Sequence, residues 1–256
     1  MKKILLLLSV FAFSIFFSQI TKTFDINGIA RKALVFEPQF KSEKTPVIFV
    51  FHGHGGNAQF ASKKIDFQNY VKQALVVFME GIPGTSGYVV DKKGLLNGWQ
   101  MFLNDHGNRD VLFFDEVLKD LTKNYNIDAS RIYVVGHSNG ARFVNVLWAE
   151  RADKIAAICS VAAQGGKMIQ GAKPLSVWMS MGKNDPLVPY RIQKQSINIV
   201  AGNLKTDAKT AVVKGDKTFY KGINGTELVV EERNAGHEFP HESIPEMVAF
   251  FKRHTK

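Results

Sequence analysis

Residues 131–141 read RIYVVGHSNGA, and this stretch decides both the fold class and the chemistry that the sequence predicts. A short run of apolar, strand-forming residues breaks here into the pattern G-x-S-x-G, centred on Ser138. The pattern is typical of a serine held on a strained turn between a buried strand and a helix. Gly136 and Gly140 suit such a turn, because the two backbones approach so closely that a side chain would clash.

The residues on either side of the turn have the patterns of a strand and a helix. Residues 132–135 form a continuous apolar run, as expected for a strand that is covered on both faces. Residues 141–151 carry apolar side chains at helical spacing. The alternative is that Ser138 simply caps this helix. Because strand, turn and helix follow in the required order, the sequence favours Ser138 as a nucleophile.

Composition limits the class of protein. The chain has 256 residues, of which 45% are hydrophobic, so it can form one sizeable core and is not disordered, collagenous or coiled-coil. Its single cysteine, Cys159, lies in a strand-like apolar run, which predicts a buried side chain and excludes an internal disulfide. Lys and Arg outnumber Asp and Glu by 33 to 23, but they are scattered. We therefore expect a solvated basic surface and no nucleic-acid binding.

The first 18 residues have the pattern of a secretory signal peptide. Two lysines precede an apolar run at residues 4–17, which corresponds to the charged and apolar regions of such a signal. An uncleaved membrane anchor is the alternative, and the run is short for one. We expect a signal peptide at residues 1–18 and a single domain at residues 19–256. The expected location is secreted or periplasmic, with no stable membrane insertion after cleavage.

Strand and helix patterns alternate along the rest of the chain. Asn-Gly at residues 27–28 predicts a tight hairpin, and residues 205–225 predict a solvent-side hairpin or loop. Further strands are predicted at residues 46–51, 75–79, 155–162, 174–181 and 227–232. Helices are predicted at residues 61–73, 110–125, 190–204 and 244–253. This alternation predicts an α/β fold with a mainly parallel central sheet and helices on both faces.

A serine nucleophile needs a histidine that takes its proton and an acid that orients the histidine. Asp185 follows one predicted strand and His237 follows the last one. Both therefore fall at the carboxyl edge of the sheet, where open α/β folds keep their sites. A turn role for Asp185 and a surface role for His237 stay open as alternatives. The rival candidates are His241 as the base and, as the acid, Asp153, Glu231 and Glu232.

The loop after the first central strand reads HGHGG at residues 52–56. A glycine-rich loop at this place can supply an N–H donor to the negative oxygen that forms during acyl transfer. We predict that the backbone N–H groups of His54 and Asn139 form this oxyanion hole. A metal pair of His52 and His54 is a weaker alternative, because zinc takes three or four ligands and no fitting third residue is visible. We expect no metal and no cofactor.

Residues 81–108 are rich in Gly, Asn and Asp and are too long for an ordinary connection, so we expect a functional loop. Trp99, within this loop, is a candidate to line the acyl pocket, while packing inside the protein is the slightly favoured alternative. Arg142, one turn after Ser138, is expected to pair with a neighbouring acid; contact with an acidic group of the substrate is the alternative.

Four segments together resemble the polyhydroxybutyrate depolymerase and feruloyl esterase group of secreted α/β-hydrolases. They are the loop at 52–56, the run at 128–141, Val-Pro-Tyr at 188–190 and Gly-His-x-x-Pro at 236–240. The resemblance extends from about Lys32 onwards. It implies an α/β-hydrolase fold without a large lid, and a carboxylic ester hydrolase that acts through an acyl-enzyme. Ser138 would be the nucleophile, Asp185 the orienting acid and His237 the base.

The resemblance also implies the class of substrate. Feruloyl, acetyl or hydroxyalkanoate esters are expected, either as small molecules or linked to a polysaccharide. One alternative is a peptidase or another acyl hydrolase, because the fold alone does not choose the leaving group. A catalytically idle protein that binds carbohydrate surfaces is the other. The sequence leaves the acyl group, the alcohol and the oligomeric state open.

Overall fold

The structure is a computed structural model that describes residues 19–40, 42–84 and 91–256. The signal peptide predicted at residues 1–18 lies outside the described residues. No helix in the described ranges is long and apolar enough to cross a membrane.

Within those ranges, ten strands form one sheet in the order β1-β2-β4-β3-β5-β6-β7-β10-β9-β8. The strands are β1 (Gln19–Ile26), β2 (Ile29–Phe36), β3 (Thr45–Phe51), β4 (Leu75–Met79), β5 (Ile127–His137), β6 (Ala157–Val161), β7 (Ser176–Gly182), β8 (Val212–Lys214), β9 (Lys217–Lys221) and β10 (Glu227–Arg233). The strands from β4 to β10 in this order run parallel to one another. An antiparallel hairpin extends the sheet at each edge. The parallel strands therefore end at one common edge.

Helices cover both faces of this sheet. They are α1 (Ala58–Lys64), α2 (Arg109–Asn124), α3 (Asn139–Arg151), α4 (Tyr190–Leu204) and α5 (Ile244–Arg253). Helices α2, α3 and α4 pack with Phe49 and Phe51 on one face, and α1 and α5 pack with Ile48 and Val50 on the other. Alternate residues of β3 point to opposite faces, so both sets must be apolar. The predicted mainly parallel sheet with helices on both faces is confirmed.

Two hairpins agree with the sequence, and one helix does not. Asn27 and Gly28 join β1 to β2 with φ angles of 53° and 80°, as the Asn-Gly pair predicts. Strands β8 and β9 form the hairpin expected within residues 205–225. The helix predicted at residues 61–73 is wrong in its bounds: α1 begins after Asn57, whose side chain accepts from the Phe60 N–H, and ends at Lys64. Ile65 leaves the helical conformation, with φ of −126°, and is buried in the core.

Candidate active site

The turn between β5 and α3 has the strained geometry that the G-x-S-x-G pattern predicts. Ser138 adopts φ 55° and ψ −120°, a region that residues with a side chain rarely occupy. A Cβ atom added to Gly136 would lie 2.4 Å from the Gly140 oxygen. One added to Gly140 would lie 2.3 Å from the Phe51 oxygen. Both glycines are therefore required by close backbone contacts, as the sequence predicts.

Ser138, His237 and Asp185 meet at the carboxyl edge of the sheet. The Ser138 Oγ atom lies 2.8 Å from His237 Nε2. The other ring nitrogen, His237 Nδ1, lies 2.7 Å from Asp185 Oδ2. Ser138 makes no side-chain cap hydrogen bond to α3, so the capping alternative is excluded. The three side chains form one continuous hydrogen-bonded line, although they are far apart in sequence.

The carboxylate of Asp185 is fixed from several directions. Its Oδ1 atom accepts the backbone N–H groups of Leu187 and Val188, each at 2.8 Å. Its Oδ2 atom accepts from the Gln193 side chain at 2.9 Å, in addition to its contact with His237. Burial disfavours the charged carboxylate, but the N–H donors and His237 outweigh it and lower the pKa of Asp185. Asp185 therefore has the turn role left open by the sequence and also orients His237.

Gln193 and His137 form hydrogen bonds to Asp185 and His237, and the sequence patterns did not predict either contact. Gln193, in the first turn of α4, is buried against Asp185. His137 donates through Nε2 to the His237 carbonyl oxygen at 2.6 Å, and the two rings lie 5.1 Å apart. Burial lowers the pKa of His137 to about 4, so this ring is neutral near pH 7. Both contacts depend on segments distant in sequence, which no local pattern reveals.

His52 belongs to the scaffold of the glycine-rich loop. Its Nδ1 atom lies 2.7 Å from the Gly53 carbonyl oxygen, and its Nε2 atom accepts the Gly81 N–H at 2.9 Å. Burial lowers its pKa to about 4. Both ring nitrogens are thus occupied by the backbone, which argues against the alternative of a metal pair with His54. Among the described residues, no cluster of three or more His, Cys, Asp or Glu could hold a metal ion.

Trp99 does not line the acyl pocket, and that candidate role is corrected. The side chain is 0% exposed and stacks on Phe143, with ring centroids 5.5 Å apart. Its Nε1 atom donates to the His52 carbonyl oxygen at 2.9 Å. The Asn139 side chain accepts from the Trp99 backbone N–H at 2.8 Å. Trp99 therefore lies in the core, because its indole fills space that α3 and β3 enclose, and it joins the long loop to the turn between β5 and α3.

Arg142 also connects the long loop to the site. Its Nε atom donates to the Met101 carbonyl oxygen, and its Nη1 atom donates to the Gln164 carbonyl oxygen, both at 3.3 Å. The guanidinium lies 5.0 Å from the ring centroid of Phe102. These contacts join the segment before α2 to the segment after β6.

The rival base and the rival acids of the last strand have other partners. His241, whose side chain is 52% exposed, pairs with Asp66 at 2.7 Å. Glu231 is buried and lies 3.3 Å from Lys217 Nζ. Glu232 accepts a hydrogen bond from the Tyr190 hydroxyl. None of these three side chains takes part in the line from Asp185 to Ser138.

His54 and Asn139, which line the pocket together with Ser138, belong to separate segments. Asn139 is the first residue of α3, where N–H groups lack an intrahelical acceptor. His54 belongs to the loop after β3, and Gly53 of the same loop approaches Ser138: a Cβ atom added there would lie 3.4 Å from Ser138 Cβ. Counting only the described residues, neither the His54 nor the Asn139 N–H donates a hydrogen bond. Both are available to a ligand oxygen.

An open pocket of about 1250 Å³ lies above Ser138 and His237. Its lining residues come from the glycine-rich loop, from α1 and from the segments around Leu187 and Phe239. A pocket of this size accommodates more than a small acyl group.

The fold and the hydrogen-bonded line define the class: the structure has the α/β-hydrolase fold, with a serine, a histidine and an aspartate at the positions that this fold uses. The model of the family described as acetyl xylan esterase matches residues 10–162, more than half of the chain. The chain belongs to the acetyl xylan esterase family.

Two curated relatives agree with this family. A bifunctional acetylxylan esterase/xylanase of Neocallimastix patriciarum is 23% identical over 170 residues, which cover 64% of this chain and 23% of that protein. Feruloyl esterase D of Neurospora crassa is 27% identical over 182 residues, covering 68% of this chain and 60% of that protein. The chain thus spans less than two thirds of either relative. The predicted resemblance to the feruloyl esterase group is confirmed.

Solved structures share the fold. The acetyl xylan esterase from Aspergillus awamori superposes with a TM-score of 0.70 at 14% identity, covering 92% of this chain and 98% of that chain. A ferulic acid esterase superposes with a TM-score of 0.63 at 14% identity, covering 92% of this chain and 98% of that one. At this identity the likeness concerns the fold alone. It confirms the α/β-hydrolase fold predicted from the sequence.

Proposed function

We propose that the protein is a serine carboxylic-ester hydrolase that removes acetyl or feruloyl groups from polysaccharide-linked esters through an acyl-enzyme. The observation that carries the proposal is the line Asp185–His237–Ser138, with contacts of 2.7 and 2.8 Å. The family and the two curated relatives support an ester as the substrate. A pocket large enough for a sugar beside the acyl group supports a polysaccharide-linked ester.

In the proposed mechanism, Ser138 Oγ attacks the ester carbonyl carbon while His237 Nε2 takes the hydroxyl proton. Asp185 stabilises the imidazolium that results. The N–H groups of His54 and Asn139 donate to the negative oxygen of the tetrahedral intermediate. The C–O bond to the alcohol then breaks, and the alcohol leaves with the proton from His237. A water molecule attacks the acyl-Ser138 ester with His237 as base, which releases the acid and restores Ser138.

Export belongs to the same proposal. A signal peptide at residues 1–18 would deliver a single domain of residues 19–256 to a secreted or periplasmic location. The charged and apolar regions of the N-terminal sequence support it. Polysaccharide esters outside the cell would be accessible to such an enzyme.

Replacing the nucleophile tests the proposal. Ser138→Ala is expected to lower kcat on a 4-nitrophenyl acetate ester by about a million-fold, because the members of such a triad act as a unit. Labelling with a fluorophosphonate probe, read by intact mass, should modify the unaltered protein and not this variant. Exposed Ser42 provides the matched control, and Ser42→Ala should be labelled and active.

Several outcomes would contradict the proposal. Hydrolysis unchanged by Ser138→Ala would exclude the acyl-enzyme. Absence of labelling and of turnover in the unaltered protein would favour a catalytically idle carbohydrate-binding protein. Faster cleavage of an amide than of the ester with the same acyl group would favour a peptidase.

A further inference from the structure

One face of α1 lines the pocket, although α1 is far in sequence from Ser138, Asp185 and His237. Phe60, Lys63 and Lys64 all line the pocket, and they are three and four residues apart, so they share one side of the helix. Phe60 is 55% exposed, and both lysines are exposed. We refer to these three side chains as the α1 face. It offers an aromatic ring next to two positive charges.

The two lysines of the α1 face have no carboxylate partner among the residues that the structure describes. In the described part of the chain, no carboxylate lies within 4.0 Å of the Lys63 or Lys64 ammonium, whereas Lys22, Lys154 and Lys217 each have such a partner. Asp66 just beyond α1 pairs with His241 instead, at 2.7 Å.

Among the described residues that line the pocket, Glu238 is the one carboxylate. Glu238 Oε1 accepts the Gly236 N–H at 3.1 Å. Lys63, Lys64 and Arg142 line the same pocket, so basic groups outnumber carboxylates there.

The position of the two lysines at the end of α1 has a local explanation, but the position of Phe60 has none. Lysines in the last turn of a helix interact favourably with its C-terminal carbonyl groups, and Lys63 and Lys64 occupy that turn. Lys123, in the last turn of α2, is exposed in the same way but lies away from the pocket. The helix-end explanation gives no reason for a half-exposed phenylalanine one turn earlier on the same side. Leu187, which is 71% exposed, lines the same pocket, and exposed apolar side chains grouped at a groove are typical of a binding surface.

We propose that the α1 face binds the glycan part of the substrate and that this glycan carries uronic-acid carboxylates. The apolar C–H face of a sugar ring packs on the Phe60 ring, and a carboxylate on that sugar or its neighbour pairs with Lys63 or Lys64. This inference rests on the proposed ester hydrolysis, because it describes the alcohol part of the same substrate. The excess of 33 basic over 23 acidic residues favours attraction to such a polyanion.

The test compares two acetylated oligosaccharides that differ only in the uronic acid, which is intact in one and carboxyl-reduced to the neutral sugar in the other. We expect kcat/KM to be about tenfold higher for the acidic substrate at low salt. The double variant Lys63→Gln/Lys64→Gln should bring this ratio close to one. Raising the ionic strength should lower the ratio for the unaltered protein, because salt screens exposed charges.

Lys123→Gln is the matched control, since it removes one exposed helix-end lysine outside the pocket. It should keep the preference of the unaltered protein. Phe60→Ala is expected to raise KM about fivefold for both oligosaccharides, because it removes the stacking surface and no charge.

Each part of the proposal can fail separately. Equal kcat/KM for the two substrates, or a preference that the double lysine variant retains, would overturn the uronic-acid assignment. An unchanged KM in Phe60→Ala would overturn the stacking. If the proposed ester hydrolysis is itself wrong, the unaltered protein will not turn over 4-nitrophenyl acetate. This substrate has neither a sugar nor a carboxylate group, so it tests the hydrolysis alone.

Discussion

Two loops at the carboxyl edge of the sheet each bring a histidine to the pocket, and the two histidines differ in what their ring nitrogens contact. His52, after β3, is 1% exposed, and both nitrogens contact backbone groups. His237, after β10, has a side chain that is 16% exposed and contacts two other side chains. The same residue type is therefore part of the scaffold in one loop and of the candidate reaction site in the other.

The proton positions make the comparison sharper. In both residues Nδ1 faces an oxygen that only accepts, so Nδ1 carries the proton and Nε2 is the acceptor. At His52 the oxygen is the neutral Gly53 carbonyl, and the donor to Nε2 is an amide that keeps its proton. At His237 the oxygen belongs to the Asp185 carboxylate, and the donor is a hydroxyl. A carboxylate stabilises an imidazolium and a hydroxyl can release a proton, so only His237 is equipped as a base.

The largest expected effect removes the carboxylate that distinguishes His237. Asp185→Asn should lower kcat on an acetate ester about 10⁴-fold, because the amide favours the wrong tautomer and no longer stabilises the imidazolium. The amide oxygen can still accept the Leu187 and Val188 N–H groups, but the NH₂ group replaces the oxygen that accepts from Gln193, so the unfolding temperature should fall modestly. Steady-state kinetics on the purified variant measure the loss. A decrease in kcat of less than tenfold would show that the carboxylate does not distinguish His237 from His52.

A smaller effect, on stability, is expected for His52. His52→Leu leaves the buried Gly81 N–H without its acceptor, whereas the Gly53 carbonyl oxygen still accepts the Gly56 N–H. The free energy of unfolding should therefore fall by about 2–3 kcal/mol. Urea denaturation at pH 7 measures it. The control is His241→Leu, which removes a half-exposed imidazole paired with the Asp66 carboxylate and should cost about 1 kcal/mol. Equal losses in the two variants would show that His52 is not part of the scaffold.

The smallest effect is a dependence of stability on pH. The pKa of His52 is lowered from 6.5 to about 4 in the folded protein, so below pH 6.5 the unfolded chain binds the proton first. The stability that the neutral ring provides is complete above pH 6.5 and is lost as the pH falls towards 4. Between pH 7 and pH 5, the loss due to His52 should be about 2 kcal/mol.

Urea denaturation at pH 7, 6 and 5 measures this loss by comparing the unaltered protein with His52→Leu. The variant lacks this group, so the difference in stability between the two proteins should narrow as the pH falls. His137, whose pKa is also lowered to about 4, remains in both proteins and cancels. Parallel pH curves for the two proteins would contradict a buried neutral His52.

Local sequence patterns predicted the elements that depend on neighbouring residues. The turn around Ser138 and the hairpin at Asn27 were predicted because a few consecutive residues set the backbone conformation there. Trp99, a candidate to line the pocket, is instead in the core. Its burial depends on β3 and α3, which lie far from it in the chain. Gln193 was not predicted, because a glutamine in a first helical turn gives no local indication of a distant carboxylate.

By itself, the sequence determined a buried strand, a tight turn and a helix around Ser138, because the apolar run and the two glycines act within one short segment. It also placed Asp185 and His237 at strand ends. Only the tertiary structure decided that these two, rather than Glu231 or His241, contact each other and Ser138. His237 is 99 residues from Ser138 and 52 from Asp185. Strands β5, β7 and β10 end at one edge of the sheet, which brings these distant residues into contact. The groups that each side chain contacts there determine its role.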